Sequence, residues 1–246
     1  MAASFDARAD SYAEAAVVQR ELAGWLAEWL EPADATRTLR AVDLGAGEGL
    51  FTRQLVGRFA AVAAVDLAPR MVRLGAAGLP EASWEVADAW QWAPAADAAA
   101  DRLYSASLLQ WCPDPASVLR RWRAAVGPGG RMLHGFYVAP SLVEWQSLQP
   151  SPPPFTWRTP REWLARFRAA GWKVLRSEVD ERTFRFPAAI DLLRFFHHTG
   201  VTIPGQLTAG QTRSILRELD RRHPPCNGHG GVPSDWTFMR VEAEPA

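Results

Sequence analysis

The sequence predicts an α/β fold: a doubly wound, mostly parallel seven-stranded sheet with a small helical cap inserted before the last strand. Three observations predict it. Short apolar runs alternate with helix-period stretches from residue 40 to residue 138, the pattern of βα units packed on a parallel sheet. The first run, Arg40-Ala-Val-Asp-Leu44, passes directly into a glycine turn, Gly45-Ala-Gly-Glu-Gly49, and then into a helix pattern. The second run, Val62–Asp66, ends in an acid about 20 residues after that turn.

The elements follow in order. Residues 5–12 are a short polar arm ahead of the first helix. Glu14–Leu30 reads as a helix, with Val18, Leu22, Trp25, Leu26 and Trp29 on one stripe, broken by Pro32 and Asp34. After the first strand and turn, Leu50, Phe51, Leu55 and Val56 mark the crossover helix. Pro69 opens the next helix, as proline does at a first helical position. Trp84–Asp88 is a third strand, residues 94–100 a loop, and Asp101–Ser107 a fourth strand. Asp114-Pro115 starts a helix carrying Val118, Leu119, Trp122 and Val126, which Gly127-Pro-Gly-Gly130 ends. Arg131–Val138 is a fifth strand. Thr159–Ala170 is a helix with a threonine cap, and Trp172–Val179 a strand. Ala188–His198 and Thr208–Arg222 are two extra helices, so residues 187–233 read as a substrate-side cap within a single domain spanning 1–246. Asp235–Val241 is the last strand.

Strand, glycine turn and helix form a nucleotide-binding arrangement. Glycines let the backbone approach a ligand where a Cβ would collide, and the N–H groups at the helix start are expected to face the ligand's polar atoms. The glycines fall at 45, 47 and 49, and position 50 is Leu50, so the G-x-G-x-x-G dinucleotide pattern is not met. This spacing disfavours a nicotinamide-dependent oxidoreductase. Asp66 is placed to accept hydrogen bonds from ribose hydroxyls, the plainer alternatives being a solvent-facing strand-end Asp or a helix cap before Pro69. Asp88 is the candidate partner for an adenine amino group, and the Ala89 N–H for a ring nitrogen. Trp90 and Trp92 are either adenine-stacking or partly buried surface residues.

Trp111 lies in Leu108-Leu-Gln-Trp-Cys-Pro-Asp114, at the carboxyl end of the fourth strand, where open α/β sheets bind ligands. It covers donor or substrate, or plugs the core. Cys112 precedes a proline and has no base beside it, so it does not read as a nucleophile. His223-Pro-Pro-Cys226-Asn-Gly-His229 offers too few ligands for a metal site and reads as a polar loop; no metal is expected.

Composition narrows the function. The 27 cationic and 27 acidic residues cancel, which gives no bulk attraction for nucleic acid. Lys173 is the only lysine. Two cysteines cannot build a disulfide framework and suit a reducing cytosol. No apolar run reaches membrane-span length. A cytoplasmic monomer is expected.

With Asp43 two residues before the first glycine, the turn resembles motif I of the class I S-adenosylmethionine methyltransferases, which are Rossmann-like. The whole chain resembles the malonyl-acyl-carrier-protein O-methyltransferases of biotin synthesis. The likeness is carried by Phe5–Tyr12, Gln19-Arg20, Asp43–Gly49, Asp66–Met71, Leu109-Gln-Trp-Cys112, Gly127–Gly130, Leu193-Arg194, His198-Thr-Gly-Val-Thr202 and Leu207–Gln211. The ending departs, since a Gly/Pro/His loop and Ser234-Asp-Trp-Thr237 replace a tyrosine-containing segment. The resemblance implies S-adenosyl-L-methionine as cofactor, held by Asp43, Gly45, Gly47, Gly49, Asp66, Asp88, Ala89 and Trp111, with Tyr12 covering it. It implies a malonyl thioester, most naturally on acyl carrier protein, as acceptor. A small carboxylic acid, or a non-catalytic S-adenosylmethionine-binding role, are the alternatives. A malonyl carboxylate is ionised at neutral pH and needs no strong base. It does need a partner when buried; Arg158, Arg194 and His198 are the candidates. Arg120, Arg121 and Arg123 form either a docking face for an acidic carrier or a solvated helix face.

Overall fold

The computed structural model describes residues 16–94, 99–149, 156–200, 207–224 and 231–246. Among them, seven strands form one sheet in the order β3-β2-β1-β4-β5-β7-β6. The strands are β1 (Arg40–Leu44), β2 (Ala61–Asp66), β3 (Ser83–Val86), β4 (Ala100–Ala106), β5 (Val126–Val138), β6 (Trp172–Phe186) and β7 (Val232–Pro245). All pairs from β3 to β5 are parallel, and β7 runs antiparallel between β5 and β6. The order reverses between β1 and β4, which opens a crevice at their carboxyl ends.

The helices are α1 (Val17–Ala27), α2 (Ala33–Thr36), α3 (Thr52–Leu55), α4 (Pro69–Gly78), α5 (Pro115–Ala125), α6 (Val143–Leu148), α7 (Pro160–Ala169), α8 (Ala189–His198) and α9 (Ala209–Arg222). Alternation along the strands sends side chains to two faces. Val42, Leu44, Leu103, Met132 and Phe136 meet α5 and α7 through Leu119, Trp122, Trp163 and Phe167. Ala41, Tyr104 and Leu133 meet Leu26, Phe51 and Leu55 on the other face. A third cluster joins α8 and α9 to α1, α6 and β7 through Leu192, Phe195, Phe196, Leu219, Trp145, Trp25, Trp236 and Phe238. Burying each such side chain stabilises the fold by about 1.5–3 kcal/mol.

Several boundaries differ from the sequence reading. The first helix stops at Ala27. The third strand stops at Val86, so Asp88 stands beyond it. β5 begins at Val126, not Arg131, because Gly127-Pro-Gly-Gly130 is absorbed as an irregularity between the Ala100–Val126 and Arg102–Arg131 pairs. β6 continues seven residues past Val179, because its charged side chains point outward from a strand at the sheet edge. The capped helices agree closely: Thr159 and Thr208 each form a full capping box, with Glu162 and Gln211 respectively.

Candidate functional site

The glycine turn follows β1 and begins at the switch point. Gly45 and Gly47 have φ of +71° and +58°, where a side chain is strained. A methyl group added at Gly45 would come within 2.7 Å of Leu108 Cδ1, so this glycine lets two loops close together. Nothing lies within 4 Å of the same position at Gly47, which faces open space. Gly49 instead packs the turn onto Leu79 and Trp84 and does not line the crevice.

The turn's N–H groups are mostly used within the protein, contrary to the expectation that they face a ligand. Gly45 and Ala46 donate to the Val65 carbonyl at 2.8 and 3.0 Å, and Gly49 donates to the Ala46 carbonyl at 2.9 Å. Gly47 donates to Asp66 Oδ2 at 2.8 Å. A pyrophosphate would find these donors occupied and a carboxylate beside them, which argues against a dinucleotide on physical grounds. Asp66 Oδ1 also accepts from the Ala68 N–H at 2.8 Å. Asp66 therefore does not cap the helix at Pro69, whose N-cap is Ala68 without a side-chain bond; it closes a local turn ahead of that helix and stands in the cavity wall.

A cavity of about 150 Å³ opens above the switch point. Of the residues the sequence suggests for the cofactor, Gly45, Gly47, Asp66, Asp88, Ala89 and Trp111 line it, while Asp43 and Gly49 do not. Asp88 Oδ1 accepts from the Trp90 N–H at 2.9 Å, and the Ala89 carbonyl accepts from Trp122 Nε1 at 2.9 Å, so this loop is held from both sides. Trp90 lines the cavity and stacks on Trp122 at 6.0 Å; Trp92 is buried in the core.

Asp43 lies beneath the turn, fully buried, and accepts from Thr52 Oγ1 at 2.7 Å. Burial pushes its carboxyl up to about 7, against the opposing Thr52 hydrogen bond. Burial also raises Asp66, while the backbone N–H groups of Ala68 and Gly47 pull it down, and burial raises Glu48. Asp43 Oδ1, Gln19 Oε1 and Gln110 Oε1 are buried acceptors with no hydrogen-bond partner. No Lys, Arg or His is among the described residues lining the cavity. These open acceptors, with Asp66 and Asp88 in a wall that has no cationic side chain among its described residues, fit a cationic ligand that donates hydrogen bonds, and S-adenosylmethionine, with its sulfonium and ammonium groups, is one.

The far half of the cavity was not read from the sequence. Gln110, Tyr137, Leu142, Trp157, Thr199 and Trp236 wall it. Gln110 Nε2 donates to the Ser107 carbonyl at 2.8 Å, and Ser107 holds an unusual φ of +60°. Buried Gln19 on the apolar stripe of α1 was a legible signal, since an amide there needs partners. Trp236 was not, because only the reversed direction of β7 brings its first residues to this edge.

The proposed carboxylate partners stand elsewhere. Arg194 is exposed and pairs with Asp191 at 3.1 Å. His198 stacks edge-on with His197 at 5.9 Å and is not in the cavity wall. Arg158 sits 5.5 Å from the Trp163 ring, also outside the wall. Tyr12 and the arm around it lie outside the described residues. Arg123 donates to the Gly171 and Ala246 carbonyls, so it fastens β6 and the chain end rather than facing a partner. Burial raises Cys112 to about 12, in keeping with a non-nucleophilic thiol. His223 bonds Glu144 at 2.8 Å, Cys226 and His229 lie outside the described residues, and no metal-ligating cluster occurs among those described. No helix among them is long and apolar enough to cross a membrane.

Residues 42–134 match the methyltransferase domain family. The malonyl-[acyl-carrier protein] O-methyltransferase of Halorhodospira halophila is 39% identical over 146 residues, covering 57% of this chain and 49% of that protein. This first match thus spans only about half the relative's length. The enzyme of the same name from Erwinia pyrifoliae is 30% identical over 234 residues, covering 90% and 83%. The trans-aconitate 2-methyltransferase of Methylobacterium radiotolerans is 39% identical over 101 residues, 40% of this chain and 37% of that protein. Among solved structures, the DhpI-SAM-HEP complex superposes with a TM-score of 0.60 at 20% identity, covering 98% of this chain and 94% of the other. Turn, sheet order and near full-length similarity converge: the chain belongs to the malonyl-[acyl-carrier protein] O-methyltransferase family of S-adenosylmethionine-dependent methyltransferases.

Proposed function

We propose that this chain methylates the free carboxylate of a malonyl thioester, carried on acyl carrier protein, as a step in biotin synthesis in the cytoplasm. The observation that supports the reading is the far half of the cavity, whose walls are aromatic and whose Gln110, Tyr137 and Thr199 are the polar groups that would meet a single carboxylate in place of the cationic partners the sequence suggests. When bound, S-adenosylmethionine would supply the methyl group to a carboxylate oxygen, with the C–S electron pair left on sulfur, so that ester and thioether would form with no proton moved. Opposite charges thus disappear, and walls of low polarity favour that outcome. Gly45 and Gly47 shape the donor side, Asp66 takes the ribose and Asp88 the adenine. Gln19 and Asp43 offer acceptors to the amino-acid end. Gln110 and Thr199 border the acceptor, and the aromatic walls exclude water and fix its approach. α8 and α9 act as the cap on this side.

A small carboxylic acid is the second reading, favoured by the trans-aconitate methyltransferase relatives. A tricarboxylate would leave spectator charges against aromatic rings with no cation beside them, which is costly. The test is methyl transfer to malonyl-acyl carrier protein, malonyl coenzyme A and a panel of small acids. Turnover of the carrier form at the highest kcat/KM is expected. Turnover of small acids alone rejects the carrier assignment, and binding of S-adenosylmethionine with no turnover of any acid rejects the enzymatic one.

A further inference from the structure

Leu142 occupies a position that its own chemistry disfavours. It caps the start of α6 with φ +54° and ψ +35°, left-handed backbone that a branched side chain adopts only where its surroundings impose it. The imposition is visible. The Leu142 N–H donates to the Asp235 carbonyl at 2.7 Å. Ser141 Oγ donates to the Val138 carbonyl at 2.6 Å and accepts the Thr237 N–H at 2.8 Å. Gln146 Nε2 donates to the Ser141 carbonyl at 2.5 Å. The turn between β5 and α6 is therefore tied to the first residues of β7, and the tie sets where the Leu142 side chain stands.

Leu142 is 3% exposed and lines two cavities at once. On one side it faces the far half of the main cavity, with Tyr137, Trp157, Thr199 and Trp236. On the other it faces a small cavity of about 10 Å³ among Trp145 of α6, Leu192 of α8 and Leu219 of α9. The two spaces share Leu142 as their partition. Behind it lies a small space under the helical pair, walled by those side chains together with Glu144, Ser234 and Asp235, and in front lies the site where the acceptor is proposed to sit.

We propose that Leu142 sets the chain length of the acyl acceptor: its side chain is the end wall of the acceptor site, and trimming it joins the two cavities and admits longer diacids. The inference rests on the malonyl-thioester reading and names the residue that enforces it. A wall of packed carbon discriminates against an extra methylene by overlap, and such a step is worth roughly tenfold or more in kcat/KM. The strained backbone fits this role, since a relaxed turn would swing the side chain away from the shared boundary.

The experiment compares malonyl, succinyl and glutaryl forms of one acyl carrier protein with the native protein and with Leu142→Ala and Leu142→Gly. Glycine is free of strain at this φ and covers the case in which the alanine variant fails to fold. S-adenosylhomocysteine affinity, measured calorimetrically, reports an intact donor site. The native protein is expected to prefer malonyl to glutaryl by at least about tenfold. Each variant is expected to raise the glutaryl-to-malonyl ratio by at least about tenfold, with S-adenosylhomocysteine affinity unchanged. A purely structural leucine would lower all three substrates together. An unchanged ratio in a variant that binds S-adenosylhomocysteine overturns the proposal, as does a native protein that turns over glutaryl and malonyl forms equally. A native protein inert toward the malonyl form overturns the malonyl reading and this inference with it.

Discussion

Asp66 does two jobs with one carboxylate. It ties the glycine turn through the Gly47 N–H and the start of the next helix through the Ala68 N–H, and it stands in the cavity wall, where we propose that it takes the ribose. Asp66→Ala is expected to weaken S-adenosylhomocysteine binding by on the order of 1.5–3 kcal/mol, the scale of hydrogen bonds to a charged group. Calorimetry reads this directly, and an unchanged affinity would remove Asp66 from the donor site. At this scale the wall formed by Gly45, Gly47, Asp66 and Asp88 was legible, because turn glycines and strand-end acids announce themselves by spacing, while Asp43 and Gly49 lie outside it. Tyr137, Thr199 and Trp236 were not, because their spacing in the chain says nothing of their meeting. They share the cavity only after β7 is reversed and α8 folds back.

At the scale of elements, α1 is fastened by an alternation of arginines and aromatic rings. Arg240 of β7 lies 4.1 Å from the Trp25 ring and 4.3 Å from Trp29, and Arg176 of β6 lies 4.2 Å from Trp29 on its own account. The Arg240 guanidinium also bonds the Trp25 carbonyl, Glu28 and Glu178. Arg240 is almost fully buried while both glutamates reach solvent, so its loss strands no deeply buried charge. Arg240→Met is expected to lower stability by about 2 kcal/mol through the lost cation–π and hydrogen-bond contacts. It should also weaken S-adenosylhomocysteine, because α1 carries Gln19 into the cavity. Urea unfolding and calorimetry on the same variant check both, and a loss of stability with full affinity would separate α1 from the site. The stripe on α1 was readable from helical period, but its clamp was not. Arginines of β6 and β7 stand more than a hundred residues away and read in sequence as ordinary surface charge.

Over the whole molecule, two buried groups set opposing responses to pH. His134 is fully buried against Trp122, with Ser105 Oγ 2.7 Å from Nδ1, and burial depresses it to about 3. A depressed histidine contributes stability that is complete above its unfolded value near 6.5 and is lost as pH falls toward about 3. Asp43, raised to about 7, does the reverse: its contribution is complete below the ordinary carboxylate range and is lost as pH rises through about 7. Between roughly pH 4 and 6.5 the two slopes, each up to about 1.4 kcal/mol per pH unit, nearly cancel in the unliganded protein. Asp43→Asn should therefore become more stable as pH rises across that window, and His134→Gln less stable. Unfolding midpoints across the window decide it, and parallel curves for both variants would contradict the assignment.

The place of β7 has a consequence for how the chain is made. The strand made last of the seven is not the last in the sheet; it slots between β5 and β6. Residues 40–138 can complete β3-β2-β1-β4-β5 as they emerge, each new strand finding a partner already synthesised. β6 cannot, because its ladder is to β7 alone, and that segment follows some 45 residues later. Through that interval a 15-residue strand waits with both edges bare. Lys173, Arg176, Glu178, Asp180, Glu181, Arg182 and Arg185 are the charges it waits with, and interspersed charge keeps a bare edge from pairing with a neighbouring nascent chain. The same arginines and glutamates that later tie α1 and β7 into the finished protein thus first keep the unfinished one apart from its copies.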